Sequence, residues 1–102
     1  KVKGMSVFPA EVEMILSGHP EIASVAVVPA EDEETGQRPV AFVSLRAADV
    51  SAAELEGWAR EQMAGYKVPL VEVVTDFPMT DTGKIRKAEL LPRAQQVAAA
   101  RG

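Results

Sequence analysis

Residues 22–46 read IASVAVVPAEDEETGQRPVAFVSLR. Two runs rich in β-branched residues flank a charged interruption that contains a glycine, the pattern of two strands and their connection. In the first run, Val25, Val27 and Val28 carry the strand signal. In the second, residues 40–43 are apolar without alternation. Both faces of that strand are therefore expected to be covered, which places it at the centre of a sheet. The interruption is short, and short connections join strands running in opposite directions. An antiparallel pair with a doubly covered second strand is the frame to which the other segments attach.

On the N-terminal side, Pro9 fits a first helical turn, where its missing N–H would lack a partner in any case. Val12, Ile15 and Leu16 follow on one helical face. Gly18 reads as the stop, and Pro20 bars continuation. On the C-terminal side, Ser51 and Glu54 stand at the spacing of a capping box, and Val50 and Leu55 at that of a hydrophobic staple. The apolar stripe runs through Leu55, Trp58 and Ala59 toward Met63 and stops at Gly65. LVEVVTDF, residues 70–77, predicts a third strand. RKAELLP, residues 86–92, predicts a short helical turn, and the tail RAQQVAAARG has the composition of helical ends that fray. The order is α-β-β-α-β, a lysine-bearing loop, then a short helix. The expected class is α+β: a small, mostly antiparallel three-stranded sheet with packed helices, plus a C-terminal hairpin carrying the lysine loop.

The totals exclude several functions. At 102 residues the chain is one domain with a modest core. No run approaches the roughly 18 apolar residues of a membrane helix, so no transmembrane segment is expected. The N-terminal stretch has no uninterrupted apolar region and does not read as a signal peptide. A cytoplasmic location is the expectation. The absence of cysteine removes disulfides, thiolate nucleophiles and Cys-ligated zinc. A net charge of −4 argues against nucleic-acid binding, which depends on neutralising phosphates. That charge is unevenly spread. Residues 1–76 hold six Lys and Arg against thirteen Asp and Glu, whereas residues 77–102 hold five against two. The last quarter is thus the one basic segment, and it opens with FPMTDTGKIRK, residues 77–87.

Few constellations carry chemistry. His19, the single histidine, follows a helix end and reads as a structural ring that caps carbonyls. Glu31, Asp32, Glu33 and Glu34 lack the ligand alternation of a calcium loop and read as a solvated turn. Trp58 and Tyr66 read as core or rim aromatics. No Ser–His–Asp or Cys–His set can be assembled. The segment DTGKIR lacks the upstream glycine of a phosphate-binding P-loop. Two stretches remain. In FPMTDTGKIRK, Gly83 can take a positive φ and present Lys84. In KVKGMSVFPAEVE, residues 1–13, Gly4 permits close backbone approach before the first helix. Each alone fits a wet surface turn as well as a functional loop.

Together, in this order, the two stretches resemble the C-terminal domain of the adenylate-forming superfamily: acyl-CoA synthetases, luciferases and peptide-synthetase adenylation domains. Lys1, Gly4, Val7, Pro9, Glu11, Val12 and Glu13 match the first motif of that family, and Pro78, Thr80, Gly83, Lys84, Ile85 and Lys87 match the last. HPEIASVAVV, GQRPVAFV and YKVP resemble segments between them. The resemblance covers nearly all of residues 1–102. It departs at Pro29, Glu31 and Gln37, where the family usually has Gly, Pro and Glu. Arg86 and Lys87 replace the Asp-Arg common in peptide synthetases, which with YKVP leans toward acyl-CoA synthetases.

The resemblance implies a mobile lid on a large N-terminal domain that is absent from this chain and that binds ATP, its Mg2+ and a carboxylic acid. Lys84 would serve adenylation of a fatty or other carboxylic acid. Lys3, Gly4 and Met5 would line the pantetheine channel of CoA for thioester formation, and Thr80, Thr82 and Gly83 would shape the lysine loop. The hinge would lie upstream of Lys1. The implied partners are the N-terminal domain, ATP, the acid and CoA. The lid alone is expected to be inactive, because the nucleotide and acyl pockets belong to the other domain. Two alternatives stand beside this: a ligase that loads a carrier-protein thiol, and a non-catalytic interaction module of the same fold.

Overall fold

The computed structural model describes residues 9–32, 36–47, 50–63 and 68–101. The elements are α1 (Pro9–Leu16), β1 (Ile22–Asp32), β2 (Gly36–Leu45), α2 (Ala52–Gln62), β3 (Leu70–Val73) and α3 (Lys87–Arg101). The sheet runs β1-β2-β3, so β2 is central, as its doubly apolar run predicts. β1 pairs with β2 antiparallel, also as expected. β3 pairs with β2 in parallel, from Val40 opposite Leu70 to Val43 opposite Val73. Parallel neighbours need a crossover, and α2 supplies it. The class is α+β with a mixed sheet whose longer pairing is antiparallel.

Both faces of the sheet are covered. Val27, Ala41, Val43 and Val71 pack with Val12 and Leu16 of α1 and Leu55 and Ala59 of α2. Ala26, Val28, Ala30, Val40, Phe42 and Leu70 pack with Leu90, Ala94 and Ala98 of α3. Alternate residues therefore feed opposite layers, the period of two expected for a strand. Pro29 lies opposite Pro39 in the register. Neither has an N–H, so this must be a non-hydrogen-bonded pair, and that choice fixes which residues of β1 turn their amides to the free edge.

Those edge amides are met by side chains. The Val27 N–H donates to Glu13 Oε2 of α1 at 2.7 Å. On the opposite edge, the Val71 N–H donates to Glu56 Oε2 of α2 at 2.8 Å. Farther along β1, the Glu31 N–H donates to Gln95 Oε1 at 3.0 Å while Gln95 Nε2 donates to the Glu31 carbonyl at 3.2 Å. The Gln95 amide of α3 thus imitates one rung of a neighbouring strand.

Local signals are mostly realised. Ser51 caps α2, its hydroxyl accepting from the Glu54 N–H at 3.1 Å, and Val50 joins Leu55 in the same core. Gly18 follows the end of α1 as expected, in tightened turns in which the Gly18 and His19 amides donate to the Ile15 and Leu16 carbonyls; Gly83 is the one positive-φ glycine among the described residues. Two readings change. His19 does not cap carbonyls. Its Nδ1 accepts the Glu21 N–H at 3.0 Å, and its ring meets Trp58 edge-on at 4.9 Å. Pro20 has no N–H, so the next free amide, that of Glu21, turns back onto the ring.

The C-terminal segment is one helix rather than a short turn and a fraying tail. Pro92 lies inside α3 and costs about 3 kcal/mol of helix stability. Burial of Leu90, Ala94 and Ala98 at intervals of four offsets this. The carbonyl that Pro92 leaves without its helical donor belongs to Ala88, an exposed residue.

Because Glu56 is 7% exposed, Glu56→Ala strands the Val71 amide and is expected to lower stability by about 1–3 kcal/mol. Glu56→Gln keeps an acceptor and should lose less. Urea unfolding of the domain measures both.

Candidate functional site

The loop between β3 and α3 is built around a two-residue reversal. The Gly83 N–H donates to the Thr80 carbonyl at 3.0 Å, and the Thr80 N–H donates to the Lys84 carbonyl at 2.7 Å. With Gly83 at φ +86°, the chain reverses over Asp81 and Thr82 and a left-handed glycine closes the three-residue hairpin loop. Met79 and Ile85 form the bridge beneath it. Thr80 Oγ1 accepts the Lys84 N–H at 3.0 Å and lies 3.0 Å from Thr82 Oγ1. The Thr80 hydroxyl therefore ties down the backbone of the residue that follows the glycine, and the Thr82 hydroxyl is paired with it.

The turn is anchored at its base. Phe77 and Ile85 pack against the core on the α3 side. The Arg86 N–H donates to the Pro78 carbonyl at 2.7 Å, and Arg86 Nε donates to the Met79 carbonyl at 3.0 Å. Arg86 also stands 3.7 Å from Glu89. Lys87 Nζ lies 2.5 Å from Glu13 Oε2, the carboxylate that holds the β1 edge.

The three cations of GKIRK therefore have different fates. Arg86 and Lys87 are engaged in holding the loop, whereas Lys84 is exposed, and among the described residues nothing pairs with its ammonium. A compact cation on a rigid turn with no internal partner is suited to meet an anion from outside the domain. Among the described residues no group of three or more His, Cys, Asp or Glu side chains could hold a metal ion, and no helix is long and apolar enough to cross a membrane.

The structure thus brings Thr80, Thr82, Gly83 and Lys84 into one turn. Lys3, Gly4 and Met5 lie outside the described residues, as do Gly65 and Tyr66. Of the acidic cluster, Glu31 is bound to Gln95 in the sheet edge. The parts played by Glu13, Arg86 and Lys87 are missed by reading residues one at a time. Their signal is that Glu13 and Lys87 both fall on motif positions, 74 residues apart, that prove to be in contact.

A model of the AMP-binding enzyme C-terminal domain matches residues 11–84, ending on Lys84 itself. The chain belongs to this family. A 4-coumarate–CoA ligase-like protein of rice (Oryza sativa subsp. japonica) is 39% identical over 103 residues, covering 99% of this chain and 19% of that protein. Among solved structures, a fatty acyl CoA synthetase of Mycobacterium tuberculosis superposes with a TM-score of 0.83 at 31% identity, over 93% of this chain and 19% of that one. An anthranilate CoA ligase in complex with anthranoyl-AMP gives 0.81 at 38% identity, over 97% and 20%. The chain spans about a fifth of the length of the curated relatives it matches.

Two glycines of this C-terminal domain should respond oppositely to alanine. Gly57, within α2, has nothing within 4 Å of an added Cβ, so Gly57→Ala should stabilise by about 0.5–1 kcal/mol. Gly83→Ala must hold a left-handed φ and should destabilise by about 1–2 kcal/mol. Thermal unfolding of the two variants reads the contrast.

Proposed function

We propose that this domain is the mobile lid of an ATP-dependent carboxylate–CoA ligase, with Lys84 acting in the adenylation half-reaction. The observation that carries the reading is the placement of Lys84: the one uncommitted cation of GKIRK, on a turn locked by Thr80, Thr82 and Gly83. The relatives named above support the class, since each is by name a CoA ligase or synthetase.

In the first half-reaction a carboxylate oxygen attacks the α-phosphorus of ATP, forming acyl-AMP and releasing pyrophosphate. Two anions must approach, and charge builds on the phosphoryl oxygens. A preorganised ammonium that reaches both groups stabilises that state more than the separated reactants. A loop tip suits this role, because the cation must enter another domain's cleft and later leave it. In the second half-reaction the CoA thiol attacks the acyl carbon and AMP departs. Here we assign Lys3, Gly4 and Met5 to the pantetheine channel, where a residue without a side chain leaves room for a narrow thiol arm. ATP and its Mg2+ belong to the remainder of the enzyme, as does the acyl pocket.

In the full-length enzyme, Lys84→Ala should lower pyrophosphate release by roughly a hundredfold or more. Thioester formation from supplied acyl-AMP and CoA should be largely preserved. Equal loss in the two half-reactions would overturn the assignment.

A further inference from the structure

Glu13 is the meeting point of three elements. Its Oε2 accepts the Val27 N–H from the edge of β1 at 2.7 Å and lies 2.5 Å from Lys87 Nζ at the start of α3. The Lys87 and Glu13 side chains are 44% and 22% exposed, respectively. An ion pair this exposed contributes little to stability. The position of Lys87 is nevertheless costly in isolation, since it is the first residue of α3 and the helix dipole disfavours a cation there. The Glu13 carboxylate offsets that cost.

The geometry of the pair has a clearer consequence than its energy. Among the described residues, Phe77 and Ile85 of the loop anchor to the α3-side core, and Arg86 bonds back to the loop and to α3. The bond from Lys87 to Glu13 instead passes round the free edge of β1 to α1, which packs on the opposite face of the sheet. It fastens the chain three residues beyond Lys84. It also holds a second ammonium away from any anion that approaches Lys84.

We propose that Glu13 and Lys87 form a latch that sets the orientation of the lysine turn relative to α1, making both of them positioning residues for Lys84 in adenylation. The latch rests on the role given to Lys84 above. Lys87→Met is the cleanest probe, because it leaves the Glu13 bond to Val27, and with it the sheet edge, intact. Glu13→Gln keeps an acceptor for Val27 while removing the charge.

The experiment measures both half-reactions in the full-length enzyme at saturating substrates. Lys87→Met and Glu13→Gln should each lower the kcat of pyrophosphate release by about tenfold, as expected for a slightly misplaced catalytic group. The KM for ATP and thioester formation from supplied acyl-AMP should be unchanged. Lys87→Arg should retain activity, and the double variant should be no worse than either single one. Wild-type adenylation in Lys87→Met, equal loss in both half-reactions, or additive effects would overturn the latch. If Lys84→Ala impairs adenylation and Lys87→Met does not, the latch alone fails. If Lys84→Ala spares adenylation, the reading beneath it fails as well.

Discussion

A three-stranded sheet with helices on both faces still has two edges, and apolar packing cannot satisfy the amides there. In this domain each helix contributes one side chain that does so, Glu13 from α1, Glu56 from α2 and Gln95 from α3. An amide buried without a partner would cost a sizeable fraction of the stability of so small a domain. The helices are thus located by polar bonds of defined direction as well as by the apolar layers beneath them. Pro29 opposite Pro39 decides which amides need such partners, since that pair can sit only where no ladder bond is made.

The lysine loop hangs from this frame. Glu13 closes the β1 edge and, with the same oxygen, takes Lys87 at the foot of the lysine turn. Above that foot, Ile85 turns into the core and Gly83 reverses the chain, so Lys84 is held on a short, hydrogen-bonded arc. Order in the turn and exposure of its cation are compatible because the Thr80 hydroxyl binds the Lys84 amide and not its ammonium. The proposed lid, which would deliver charge to another domain, needs both properties: flexibility at the tip would lose orientation, and an internal partner for Lys84 would compete with the anion assigned to it.

The sequence discloses the parts of this arrangement that depend on neighbours along the chain. β1, β2 and the start of α2 follow from β-branched runs and from Ser51 and Glu54, and the structure has them where that reading puts them. The turn is equally legible, since a glycine after Thr-Asp-Thr admits few conformations. Of the misread features, α3 depends on partners distant in sequence, whereas His19 turns on its next neighbours. α3 runs through Pro92 because Leu90, Ala94 and Ala98 find the sheet, and a local penalty gives way to burial. His19 accepts a hydrogen bond rather than capping carbonyls because Pro20 shifts the available amide to Glu21, and Trp58 then lies against the ring.

Periodicity, turn chemistry and two spaced motifs are enough to name the fold class and the family, because each is encoded within a few residues. The direction of β3 is not, since a four-residue strand carries no mark of the way it will pair and the α2 crossover settles it. Nor is the meeting of Glu13 with Lys87. In the sequence both are only matches to two separate motifs, until the free edge of β1 brings the carboxylate of one and the ammonium of the other together. Contacts of that kind arise from closure of the chain in three dimensions, and a one-dimensional pattern can record the positions without the bond between them.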